Sequence, residues 1–353
     1  MIISRTPYRV SFFGGGTDYP AWFQTHGGSV LATTINKYCY LTCRYLPPFF
    51  EHRIRIVYSK IESCQKVDEI GHASAREVLK YLKVDRGIEI HHDGDLPARS
   101  GVGSSSAFTV GLLHALYALK GYMPGKHQLA MESIDIEQEV LKETVGSQDQ
   151  VLAAYGGFNY ITFLPTGEIT VTPVTVPRER LMELNASLML FYTGIKRTAS
   201  DIAGSYVNDL RQRQRQLRLL KEFVDESLAV LNGGRDLTRF GELLHEAWET
   251  KRTLSPLVSN SEIDGLYERA RRAGAIGGKL TGAGGGGFLL LFVPPATHAP
   301  VREALSELIH VPIRFEYAGS QIILCDREEE YVAEERARTE LPIRSFVERF
   351  EKV

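Results

Sequence analysis

Along the first half of the chain, short runs rich in Tyr, Val, Ile and Thr alternate with stretches whose apolar residues recur at helical spacing. The β-rich runs fall at residues 9–13, 29–34, 39–45, 53–58 and 87–91, each bounded by turn-forming residues. Helices are predicted at 72–83, 105–120 and 127–143. The second of these carries Phe108, Leu112, Leu113, Leu116 and Tyr117 on its apolar positions. Strands follow at 158–163, 167–176 and 187–192. Beyond about residue 198 the period changes, and a helical block runs to about 273, including 210–232 and 237–254. A glycine-rich segment from Gly274 to Gly287 then leads into an apolar strand at 288–293. A helix at 299–309, strands at 311–317 and 320–325 and a charged tail finish the chain. This pattern predicts an α+β protein of two domains, 1–185 and 186–353.

Composition adds limits more than content. With 353 residues, 43% of them hydrophobic and 24% charged, the chain has the make-up of a soluble globular protein with a large core. A net charge of −2 gives no pull toward nucleic acid or an anionic membrane. Four cysteines (Cys39, Cys43, Cys64 and Cys325) are too few for a disulfide framework, and no second pair completes a zinc site with Cys39 and Cys43. The start reads directly into a strand rather than a signal peptide. The longest strongly apolar run, 288–293, is far short of the ~20 residues that span a bilayer. A cytoplasmic protein with reduced thiols is expected, and a homodimer is left open.

Three glycine-dense segments carry the candidate chemistry. Pro97-Ala98-Arg99-Ser100-Gly101-Val102-Gly103-Ser104-Ser105-Ser106 runs straight into the predicted helix. Glycines let backbone N–H groups close on a ligand, and a helix start presents free N–H groups and a positive dipole end. Together they make a phosphate cradle; the plainer alternative is a flexible loop with a serine N-cap. The second segment, Pro7 to Tyr19, is a strand ending in Gly14-Gly15-Gly16-Thr17-Asp18. There Asp18 either grips ligand hydroxyls or caps a hairpin turn. In the third, Gly277 to Gly287, four consecutive glycines precede an apolar strand. Close approach to a ligand or to the first glycine loop explains that cost, with Lys279 read as solvated.

Asp149, in Gly146-Ser147-Gln148-Asp149-Gln150, sits where a helix is expected to give way to a loop, a common place for a catalytic carboxylate. Of the acids before it, Glu132, Asp135, Glu137, Glu139 and Glu143, one facing the cradle would hold Mg²⁺. Glu137 and Glu139, two apart, point to different sides of a helix and are alternatives. Other signals are set aside. The 101–106 loop lacks the Gly-Lys-Ser/Thr ending of a P-loop, and no Rossmann fingerprint is present. His245-Glu246-Ala247-Trp248-Glu249 lacks the second histidine of a zinc protease, and the basic stretch Arg211 to Lys221 reads as a solvated face.

Taken in order, the three glycine segments resemble the three signature motifs of the GHMP kinases, the superfamily of galactokinase, homoserine kinase, mevalonate kinase and phosphomevalonate kinase. Within it, Ser11 to Tyr19, Lys37-Tyr38-Cys39-Tyr40, Leu46 to His52 and His91 to Gly101 are similar to the D-glycero-α-D-manno-heptose 7-phosphate kinases. The resemblance implies a two-domain fold with the active site in the cleft between domains, and ATP and Mg²⁺ as cofactors. It implies transfer of the γ-phosphoryl of ATP to the anomeric hydroxyl of a heptose 7-phosphate, on the route to GDP-heptose and bacterial surface polysaccharide. A galactokinase- or fucokinase-like action on an unphosphorylated sugar is the alternative. By the same resemblance, Pro97, Arg99, Ser100, Gly101, Val102, Gly103, Ser104, Ser105 and Ser106 hold the nucleotide phosphates. Asp149 matches the catalytic aspartate, and Ser105 with Glu137 matches the Mg²⁺ ligands. Arg9 stands where mevalonate kinase has an active-site lysine, and serves better as an electrostatic clamp than as a proton carrier. Gly16, Thr17, Asp18 and Tyr19 are expected at the sugar hydroxyls, and Gly282 and Gly284 in the loop that closes the site. For the substrate's own phosphate, Lys196, Arg197 and Arg99 are candidates.

Overall fold

A computed structural model describes residues 1–195, 199–207, 210–234, 236–326 and 331–340. Two sheets organise it. In the first, strands run in the order Gln321–Cys325, Ile2–Phe13, Gly28–Tyr45, Ile88–Gly94, Ile54–Val57, Ile61–Cys64. Phe158–Phe163, with Ile169–Pro173 beyond it, pairs along residues 28–33, and Phe315–Glu316 pairs with Thr34 and Ile35. All pairings are antiparallel except that of 54–57 with the strand at 88–94. The second sheet has the order Ile309–Val311, Leu188–Tyr192, Phe288–Phe292, Gly277–Leu280.

The strand Gly28–Tyr45 is one element of 18 residues where the sequence pattern predicted two. The polar pair Asn36-Lys37 reads as a break, but a register shift opposite Pro7 and Tyr8 absorbs it. Such a bulge bends a strand without ending it. Asn36 still finds backbone partners, donating its N–H to Arg314 O and accepting from Arg314 N on its side chain.

Helix Ser104–Leu119 lies across the first two strands, buried nearly all round. It comes close because Gly111 has no side chain: a Cβ there would meet Thr6 Oγ1 at 2.8 Å. Ser4 Oγ donates to Gly111 O at 2.9 Å in the same contact. Helix Thr238–Arg252 covers the second sheet, and Phe240 joins the two sheets by edge-to-face contacts with Phe12 (5.5 Å) and Phe13 (5.1 Å). Such aromatic pairs prefer this tilted geometry. The α+β class expected from the pattern is what the chain adopts.

Several boundaries differ from expectation. The helix predicted at 127–143 is Lys126–Asp135, followed by a π-helical turn at Ile136–Val140. Helices Pro20–His26, Gln148–Tyr155 and Arg178–Ala186 and strand Gly277–Leu280 were not expected. Strand 311–317 divides into 309–311 and 315–316. Among the described residues, no helix is long and apolar enough to cross a membrane.

Candidate active site

The first strand delivers Arg9 to the centre of the molecule. Its backbone N–H donates to Val102 O at 3.0 Å, which ties the strand to the 97–106 loop. Its guanidinium forms a two-pronged bond with Asp149, Nε to Oδ1 and Nη2 to Oδ2, both at 2.6 Å. The third prong, Nη1, donates to Gly101 O at 2.5 Å. A bidentate arginine–carboxylate pair fixes both partners in one orientation. Asp149 lies in the first turn of helix Gln148–Tyr155, not at a helix end giving way to a loop. That helix is buried on most sides, so it shows no amphipathic period in the sequence.

The third glycine segment backs directly onto the 97–106 loop. At Gly101, φ is +80°, and a Cβ would sit 2.6 Å from Thr281 O. Facing it, a Cβ on Gly282 would meet Gly101 Cα at 2.8 Å. Only glycines allow two backbones this close. Gly103, also left-handed, precedes helix Ser104–Leu119, whose N-terminus has no side-chain cap. Its first N–H groups therefore remain available to an anion.

These parts line one open cleft of about 220 Å³. Its walls carry Arg9, Gly16, Asp18, Tyr19, Arg99, Gly101, Gly103, Ser104, Ser105, Ser106, Asp149, Gly282 and Gly284 among the expected residues. Ser100 and Val102 are buried behind the loop as its support and Pro97 is exposed, all three outside the lining. Ser100 Oγ donates to Pro97 O, and Val102 is fully buried. Thr17 is also off the cleft. Its single O–H is shared between Gly14 O and Ser29 O, it accepts from Ser29 N, and the residue is fully buried, so it faces its own turn and away from a ligand hydroxyl. Lys196 and Arg197 lie outside the described residues.

Asp18 borders the cleft but is turned inward. Its carboxylate accepts from Gly16 N, Gln148 N and Gln148 Nε2, and a Cβ on Gly146 would lie 1.9 Å from it. Burial pushes its carboxyl above the ordinary value, opposed by those hydrogen bonds. It holds the 146–148 turn against Gly16 and the end of the first strand.

Glu137 and Glu139 part company as their spacing requires. Glu139 is exposed and paired with Lys142. Glu137 is fully buried and accepts from Ser106 Oγ (2.8 Å) and Gln150 Nε2 (2.5 Å). Its hydrogen-bond partner in the serine run is Ser106, while Ser105, expected with it at Mg²⁺, lines the cleft; Glu137 stands one layer behind the wall. Its Oε1 has no hydrogen-bond partner among the described residues, an acceptor that fits a cation. Burial pushes its carboxyl up to about 7. Among the described residues no three His, Cys, Asp or Glu side chains gather as a metal site. A divalent ion would therefore depend on the nucleotide for most of its ligands, as Mg²⁺ commonly does.

Two lysines on the wall were not anticipated. Lys279, expected in solvent, is 5% exposed and donates to Phe12 O at 3.0 Å. Lys251, from helix Thr238–Arg252, is 4% exposed and donates to Gly282 O. Burial lowers Lys251 to about 8 and holds Lys279 well below the usual lysine range. In the sequence, Lys251 is one polar position among many on an amphipathic helix, with no motif around it.

An uncapped helix start, a glycine loop, a clamped carboxylate and several cations on one wall define a site for moving a phosphoryl group to a hydroxyl. Comparison with known proteins agrees. Residues 71–157 match the GHMP kinases N terminal domain and residues 210–310 the GHMP kinases C terminal, together just over half of the chain. The chain belongs to the GHMP kinases and is a phosphotransferase with a hydroxyl acceptor. It is 29% identical over 315 residues to the D-glycero-alpha-D-manno-heptose 7-phosphate kinase of Campylobacter jejuni, covering 86% of this chain and 93% of that one. Identity to the galactokinase of Pyrococcus furiosus is 25%, covering 83% and 89%. The structure of a D-glycero-D-manno-heptose 1-phosphate kinase from Bacteroides thetaiotaomicron superposes with a TM-score of 0.76 at 25% identity, covering 93% of this chain and all of that one.

Proposed function

We propose that this chain transfers the γ-phosphoryl group of ATP to the anomeric hydroxyl of D-glycero-D-manno-heptose 7-phosphate, in the cytoplasm, on the route to GDP-heptose and bacterial surface polysaccharide. The observation that carries the chemistry is the bidentate Arg9–Asp149 pair set against the Gly101–Ser106 loop. Similarity to the Campylobacter jejuni heptose 7-phosphate kinase supports the choice of acceptor. In this reading the N–H groups of Gly103 to Ser106 and the helix dipole hold the triphosphate. Arg9 offsets charge on the transferring group, and Asp149, locked by Arg9, orients the attacking hydroxyl and takes its proton. Ser105, Ser106 and Glu137 would hold Mg²⁺, which supplies charge compensation to the phosphate oxygens. Gly16 and Tyr19 line the acceptor end, and Gly282 and Gly284 close the site. The two working lobes divide near residue 185, with strands 315–316 and 321–325 returning to the first lobe.

A panel of sugar phosphates and free sugars with ATP, followed by phosphorus NMR of the products, tests this. The expected product is an anomeric phosphate on heptose 7-phosphate. A higher kcat/KM for galactose or fucose would instead favour the unphosphorylated-sugar reading, which the similarity to a galactokinase supports.

A further inference from the structure

Lys251 and Lys279 line the cleft together with Arg9, Asp149 and the serines of the long helix. Both lysines feel Arg9 and Asp18; Lys279 also feels Lys251, and Lys251 also feels Asp149. Lys279 bonds the backbone of Phe12, next to Ser11, and Gln148 bonds Asp18, so these groups share one part of the wall, the lysine end.

The lysine end has an unbalanced charge. Each ammonium has three donors, and among the described residues each makes one hydrogen bond, to a backbone carbonyl. Neither forms an ion pair among the described residues. Arg9 is already balanced by Asp149. Asp18, whose charge both lysines feel, is turned inward onto Gly16 and Gln148. Buried cations in this condition are stabilised by a bound counter-anion. A second observation points to a ligand at the same end. Ser11 Oγ and Gln148 Oε1 line the cleft, are buried, and have no hydrogen-bond partner among the described residues. Both side chains flank Gly15, whose missing Cβ would lie 3.7 Å from Ser11 Oγ and from the Gln148 amide nitrogen. Unpaired hydroxyl and amide groups beside free ammonium donors suit a polyhydroxylated molecule that carries an anion.

We propose that Lys251 and Lys279 form the subsite for the acceptor's own phosphate monoester, with Ser11 and Gln148 meeting its hydroxyls, and so make the enzyme select a phosphorylated over a free sugar. This rests on the sugar-phosphate kinase reading above. The lysines act as point charges and take no part in bond making; the bond broken remains that between the β–γ bridging oxygen and the γ-phosphorus.

The test compares kcat/KM for heptose 7-phosphate with that for the same heptose lacking the phosphate, in the parent enzyme, Lys251→Met, Lys251→Arg and Lys279→Met. Loss of a charge-assisted bond predicts that the preference for the phosphorylated acceptor falls by about tenfold or more in each Met variant, through KM, and is partly restored by Lys251→Arg. Equal loss for both acceptors, or a fall in kcat alone, overturns the proposal. Should the Met variants fail to fold, inorganic phosphate provides the reading on the parent enzyme. Competition with the sugar supports the subsite, and competition with ATP alone overturns it. A parent enzyme that prefers the free sugar sinks the sugar-phosphate reading itself. A parent that prefers the phosphorylated sugar while the Met variants keep that preference sinks only this inference.

Discussion

Arg9 and Asp149 answer for each other. With both carboxylate oxygens bonded to the guanidinium, Asp149→Asn loses charge and half of the two-pronged bond while keeping its shape. We expect kcat to fall by ~10²–10⁴-fold, measured as ADP release, with the melting temperature close to that of the parent. Glu137 gives a prediction with a definite sign. Its carboxyl is raised from 4.5 to about 7 by burial, so between those values the folded chain holds a proton that the unfolded chain has released. Stability from this group is full below about pH 4.5 and is lost as pH rises through about 7. Nucleotide-free Glu137→Gln should therefore show a smaller drop in melting temperature between pH 5 and pH 7 than the parent; an equal drop would mean the residue does not titrate there. At this scale, motif position singled out Arg9, Asp149 and the serines, which line one cleft. It failed for Thr17, because a hydroxyl beside three glycines reads alike whether it faces a ligand or its own turn. It failed for Lys251, because burial of one lysine on an amphipathic helix leaves no trace in periodicity.

Elements meet at the site through missing side chains. Gly101→Ala would strain a left-handed residue and drive a methyl into Thr281 O, so it should cost ~1–3 kcal/mol and raise the KM for ATP. Gly265, by contrast, sits inside helix Ser261–Arg272 with nothing within 4 Å of where a Cβ would go. Gly265→Ala should stabilise the protein by up to ~1 kcal/mol, read by urea denaturation, without touching activity. The glycine loops were legible because their composition is costly unless used. The strand Gly277–Leu280 was not, since glycines disfavour strands in general. It forms because Gly277 and Gly278 admit helix Thr238–Arg252 and strand Phe288–Phe292 at backbone distance: a Cβ on Gly277 would lie 1.9 Å from Gly241 O. Helix Pro20–His26, at seven residues and without a side-chain cap, offers too little period to be seen.

Across the whole molecule, the class of the fold was readable from alternating patterns, while the return of the chain end was not, because strand pairing is set by distant partners. Residues 321–325 pair with Ile2 to Arg5, and Ser320 Oγ bonds both Thr6 and His114. A Cβ on Gly319 would meet Ala154 O at 2.1 Å, so this segment is seated against the Asp149 helix as well. Ending the chain at residue 312 removes that edge strand and the seat. The shortened protein is expected to lose its cooperative thermal transition and precipitate; a sharp transition near that of the parent would show that the segment is dispensable.

The pairing of the second residue with the last described strand also fixes an order of events during synthesis. While the ribosome is still adding residues, Ile2–Phe13 has its inner neighbour but an open outer edge, and that edge stays bare until Gln321–Cys325 has emerged. Closure across more than 300 positions is slow and exposes a sticky ribbon to other nascent chains.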